Sequence, residues 1–126
     1  MNTTTVKILF KLFSGVDVIT STEYLPIVEI SVAETERMMK QDADDSDIRL
    51  CYLAAALANY RYRQILCAQD RTEVTYAGKM SRTDHDISLE YAEKLFRDYL
   101  HLCEDIIKPT DFVFMAFAAG EGENDA

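Results

Sequence analysis

The stretch that decides the fold is DIRLCYLAAALANYRYRQILCAQD at residues 47–70, followed by TEVTYAGKMSRT at 72–83 and ISLEYAEKLFRDYLHLCEDIIK at 87–108. The first segment reads as a helix that is apolar almost all round, and such a helix must be covered on several sides, by this chain or by others. The run AAALA at 54–58 lets another helix approach closely, so it marks a helix crossing or a subunit contact. In the third segment Ala92, Leu95, Phe96, Tyr99, Cys103 and Ile106 keep helical period, with Glu90 and Lys94 as a supporting pair one turn apart. Pro109 stops it. Between the two, 72–83 resembles a hairpin with Ala77-Gly78 as its turn. A lone two-stranded hairpin is marginal in water, so this one would lean on the helices or on a neighbour.

Working outward, residues 23–40 form a further helix, with Ser21 or Thr22 as cap and Pro26 in its first turn. Leu25, Val28, Val32 and Met39 make its inward stripe. The loop QDADDSD at 41–47 is rich in aspartate but lacks the glycine and the terminal glutamate of a calcium loop. Asp45 or Ser46 in it can cap the next helix. Residues 6–19 are open: Val6, Leu9, Phe10 and Phe13 recur at helical spacing with Lys7 and Lys11 opposite, yet a short apolar run fits a strand equally well. VDVIT at 16–20 reads as extended. After Pro109, TDFVFMAFAAG carries Phe112, Phe114 and Phe117, which either fold back on the core or form an arm that inserts into a neighbour. The expected organisation is an N-terminal extension over 1–21, a docking strand or a helix, then a helical core over 22–109 with its hairpin at 72–83. An aromatic arm with a flexible acidic tail follows over 110–126. The expected fold class is mainly α: a small bundle of three to four helices with a short β-hairpin and extended terminal arms.

A chain of 126 residues, 48% hydrophobic and 28% charged, has the composition of one globular domain. The formal charge of −9 argues against a protein held to nucleic acid mainly by phosphate neutralisation. The charge is uneven: residues 59–83 hold five basic side chains (Arg61, Arg63, Arg71, Lys79, Arg82) against Asp70 and Glu73. A basic patch on an acidic body can orient a charged partner or join copies head to tail. Arginine and tyrosine in YRYR at 60–63 also suggest base stacking, but on a helix they fan around the axis and form no platform.

Three cysteines without CxxC spacing fit a reducing compartment and not a disulfide framework. Cys51 and Cys67, 16 positions apart, lie about 160° apart around one helix, so they are not one site. His85 and His101 are too few for a histidine-rich metal site, and no nucleophile elbow, Walker A loop or GxGxxG occurs. The sequence therefore predicts no metal, no cofactor and no enzymatic activity. The apolar run at 6–13 is too short to span a bilayer, so no membrane partner is expected.

The order of LPIVEISVAETERMM (25–39), DADDSDIRL (42–50), the alanine-rich helix ending in YRYR, AGKMSRT (77–83), LEYAEKLFRDYLHLC (89–103) and DFVFMAF (111–117) carries a resemblance. Over residues 24–117 the chain resembles small proteins encoded beside the capsid and tail genes of prophages in Gram-positive bacteria. More distantly, it is similar to the head–tail connector, or adaptor, proteins of long-tailed phages. The resemblance implies a structural protein of the virion neck that forms a ring with copies of itself, between the portal protein and the next neck or tail-completion protein. DNA would only pass through the lumen, without sequence recognition. Contacts would fall on Arg61, Arg63, Arg71, Tyr76, Gly78, Lys79, Arg82, Phe112, Phe114 and Phe117. The alternative is a small acidic helical dimer that regulates or adapts another protein, with AAALA at its seam.

Overall fold

In the computed structural model residues 1–76 and 84–109 are described, with side chains over 1–69 and 85–109. They form five helices: α1 (Thr3–Ser14), α2 (Val18–Glu23), α3 (Leu25–Met38), α4 (Ile48–Tyr76) and α5 (Asp84–Leu102). There is no strand among the described residues. The mainly helical class is as the sequence indicates, with one short helix more than expected.

Several boundaries have a local cause, but at the start of α3 the cap position is Tyr24, not Ser21 or Thr22, and it makes no side-chain cap bond. Asn2 caps α1 by accepting from the Thr5 N–H at 3.2 Å. The helix ends at Gly15, whose φ of 72° is left-handed and whose N–H donates to Lys11 O at 3.0 Å. Asp17 caps α2, accepting from Thr20 N at 2.8 Å. The extended reading of VDVIT is thus corrected: the aspartate inside it starts a helical turn, and Val18–Glu23 follows. Pro26 lies in the first turn of α3, where its missing N–H leaves no bond unmade. Asp47, not Asp45 or Ser46, caps α4, its carboxylate accepting from Arg49 N at 3.0 Å.

The hairpin expected over 72–83 is also corrected. Residues 72–76 are the last residues of α4; 77–83, with Gly78, Lys79 and Arg82, lie outside the described residues. The alternation of threonine, valine and tyrosine looks like a strand. However, no glycine or proline interrupts the helix before Gly78. Extending an established helix adds one hydrogen bond per residue fixed, whereas an isolated hairpin must nucleate.

Helix α4 is the axis of the bundle, and α1, α3 and α5 pack around it. Leu50, Leu53, Ala54, Ala55, Ala56, Leu57 and Ala58 are all 0% exposed. One flank meets Val6, Leu9 and Phe10 of α1 with Val28 and Val32 of α3. The other meets Phe96 and Leu100 of α5, with Met38, Cys103 and Ile107. α5 runs antiparallel to α4: Cys67 meets Asp86, Tyr60 meets Phe96, and Arg49 meets Asp105. Residues 3–14 are therefore part of the core and not an extension, since Val6 and Phe10 are fully buried. On α3 the buried Ser31 and Thr35 satisfy their hydroxyls by donating to the Ile27 and Ser31 carbonyls at 2.7 and 2.8 Å, so polar residues line a dry face.

After α5 the chain turns back onto the end of α3. Lys40 N donates to Ile106 O at 3.0 Å and Lys108 N to Met38 O at 2.7 Å, an isolated antiparallel bridge. The aromatic arm and its Phe112, Phe114 and Phe117 lie beyond the described residues.

Candidate interaction surface

Two of the ten expected contact residues have described side chains, and both are engaged within the chain. Arg61 pairs with Glu34 of α3 at 2.9 Å, each about a third exposed. Arg63 donates to Ser14 O at 2.7 Å, so its cation sits at the C-terminus of α1, where the helix dipole favours it. Its guanidinium also stands 5.1 Å from the Tyr62 ring centroid. Arg71 and Tyr76 belong to α4, with side chains outside the described set; the other six lie outside the described residues altogether.

The tyrosines of YRYR are likewise used inside. Tyr62 is buried and packs edge-on against Phe10 at 5.9 Å and Tyr24 at 4.7 Å. Burial pushes its phenol up from the ordinary value. Tyr60 stacks on Phe96, centroids 6.1 Å apart and planes at 8°. Phe13, Tyr52 and Tyr99 form a three-ring cluster joining α1, α4 and α5, and burial raises the Tyr99 phenol too.

At the opposite end of α4, Arg49 links three segments. Its Nη1 donates to Asp105 Oδ1 at 2.8 Å and to Leu102 O at 2.9 Å, while Nη2 donates to Asp47 Oδ2 at 2.8 Å. It thereby ties the start of α4 to the last carbonyls of α5. Hydrogen bonds from Arg49 hold both the Asp47 and the Asp105 carboxyls below the usual carboxylate range. In the loop before it, Asp44 accepts from the Ser46 hydroxyl at 2.7 Å and from its N–H at 2.9 Å, which lowers its carboxyl in the same way. These aspartates are thus occupied with turn and cap bonds.

The three cysteines are free and buried. Cys103 lies against Arg49 O at 3.6 Å, and burial pushes its thiol up to about 11. Cys67 donates to Asp86 Oδ1 at 3.5 Å and joins α4 to α5. Among the described residues no group of histidine, cysteine and carboxylate side chains could hold a metal ion, and no helix is long and apolar enough to cross a membrane.

Among the exposed residues are several large apolar side chains. On α1, Ile8 and Leu12 are 64% and 71% exposed, on the side turned away from Val6 and Phe10. α2, with no buried residue, adds Val18 and Ile19. On α5, Ile87, Tyr91 and Leu102 are exposed, and Asp98 shares their line: positions 7 and 11 beyond Tyr91 lie within about 20° of it around a helix. These two ridges were missed in the sequence. Ile8 and Leu12 follow each other at a one-turn spacing that a helical wheel separates from Val6, Phe10 and Phe13, and that spacing was the available signal. No known protein family, curated protein or solved structure matches the chain.

Proposed function

We propose that this protein is a structural component that works by assembly: a subunit of a phage neck ring, between portal and tail. The observation that carries this reading is the pair of exposed apolar clusters on different helices, α1–α2 and α5, on a bundle whose described core is buried within the chain. Isolated apolar side chains on a surface are ordinary, but ridges repeated along two helices favour protein contacts. Two different faces on one subunit suit heterologous contacts, which close into rings when the rotation allows. The resemblance over residues 24–117 supports the same reading. A dimer with AAALA at its seam is disfavoured, because Ala54, Ala55, Ala56 and Ala58 are fully covered by α1, α3 and α5.

Within the basic segment Arg61 and Arg63 have partners in the chain, while the side chains of Arg71, Lys79 and Arg82 lie outside those described. Size-exclusion chromatography with light scattering, on the protein alone and mixed with a portal protein from the same genome, tests the reading. A high-order oligomer or a stable portal complex is expected. A monomer that never binds the portal would sink it.

A further inference from the structure

We propose that the segment DFVFMAF, residues 111–117, docks on its own chain, at the apolar end of the bundle formed by Ile48 and Leu102. Ile48 is 55% and Leu102 51% exposed. They belong to one end: Arg49 donates to Leu102 O at 2.9 Å and the Cys103 thiol lies 3.6 Å from Arg49 O, so the start of α4 touches the end of α5. Met39 and Ile106 are half-buried at the edge, where the chain turns back onto α3. The described chain leaves from this same place. Ile107 N donates to Cys103 O at 3.0 Å and Lys108 N to Met38 O at 2.7 Å, which holds Lys108 close to Leu102. Phe112 follows Lys108 by four residues, a reach of up to about 13 Å.

The segment carries Phe112, Val113, Phe114, Met115 and Phe117, with Asp111 as its single charge. Such a segment gains by leaving water, and the tether decides where it goes. A short linker gives a tethered group an effective concentration in the millimolar range, so at micromolar protein a neighbouring copy offers the same surface about a thousandfold more dilutely. Other apolar side chains stand farther off. Tyr91 and Ile87 lie back along α5 from Leu102 by about 16 and 22 Å at the rise of a helix. Val18 and Ile19 follow Ser14, which is reached by Arg63, about 21 Å along α4 from Arg49. The choice of occupant uses no charge. Leu102 passes from the assembly surface to the chain's own cover, and Ile87 and Tyr91 remain on α5.

A double-mutant cycle in the 126-residue chain tests this by urea titration at low and at high micromolar protein. One leg is Ile48→Ala with Leu102→Ala; the other is Phe112→Ala, Phe114→Ala and Phe117→Ala together. The segment leg should lower the folding constant about tenfold or more, the effect of returning a large apolar side chain to water, and equally at both concentrations. The surface leg should lower it too, and the combined variant should lose clearly less than the sum of the legs, because the two act through one contact. A neutral leg, or legs that add, would overturn the docking site. A loss confined to the high concentration would assign the segment to a neighbouring copy and overturn it as well. The neck-ring reading is judged separately, by the portal-binding measurement, and survives each of these failures.

Discussion

Arg49 and Arg63 show what single basic residues do here. Both close the C-terminal end of a helix that is distant in sequence, Arg49 at Leu102 O and Arg63 at Ser14 O. Arg63→Ala should destabilise the fold by about 1–2 kcal/mol in a urea titration, the lower end for a hydrogen bond to a charged group, because the side chain is only half-buried. Arg63→Lys should recover only part of this, since an ammonium reproduces neither the reach nor the stacking on Tyr62. Replacing Arg49 removes bonds to Asp47, Asp105 and Leu102 together, so Arg49→Ala should lower the melting temperature more than an exposed lysine change such as Lys40→Ala. The same clasp predicts a pH dependence. Asp47 and Asp105 have carboxyls lowered by Arg49, so the stability they add is complete above the unfolded value of about 3.9 and is lost as pH falls through the lower folded values. Thermal unfolding should therefore show an acid limb below about pH 4, and Asp47→Asn with Asp105→Asn should reduce it, with Asp17 and Asp44 supplying part of the remainder. Cys103, with its thiol pushed up to about 11, should resist an aromatic disulfide reagent at pH 8 until the protein unfolds. Fast labelling of the folded protein at Cys103 would contradict the burial.

At the scale of elements, the sequence was most readable where a signal is local and periodic. Of the expected stripe, Ala92, Phe96 and Cys103 are buried while Leu95, Tyr99 and Ile106 are half-buried, and the helix ends at Leu102, well before Pro109; Pro26 opens α3 as expected. Signals that depend on a distant partner were unreadable. Arg61 and Arg63 looked like part of a rim because their partners, the Glu34 carboxylate and the carbonyl of Ser14, lie far back in the chain. The strand reading of 72–76 failed because local β-propensity competed with an unbroken helix upstream, and the helix won. This has a direct test: Val74→Pro, in the last turns of α4, would remove an intrahelical bond and clash with the preceding turn. In a helix it should cost about 3 kcal/mol or more, whereas an edge strand would tolerate it. The alanine run makes a second claim. Ala55 is fully buried against α1 and α3, so Ala55→Leu should overpack the crossing and cost about 1–3 kcal/mol or more. A neutral outcome in denaturant titration would mean that α1 does not approach α4 there.

At the scale of the whole molecule, the fully apolar helix that first suggested association is wrapped by its own chain. Its burial accounts for folding, and the case for assembly passes to Ile8, Leu12, Val18 and Ile19 on one side and Ile87, Tyr91 and Leu102 on the other. The separation of roles was not visible in the sequence, because hydrophobicity alone does not say which helix occupies the centre. Hydrogen exchange read by mass spectrometry, comparing dissociated with assembled protein, tests this division most directly. Amides of residues 54–58 should be strongly and equally protected in both states, while α1 and α5 gain protection only on assembly. Loss of protection at 54–58 on dissociation, or no gain in α1 and α5 on assembly, would contradict the account.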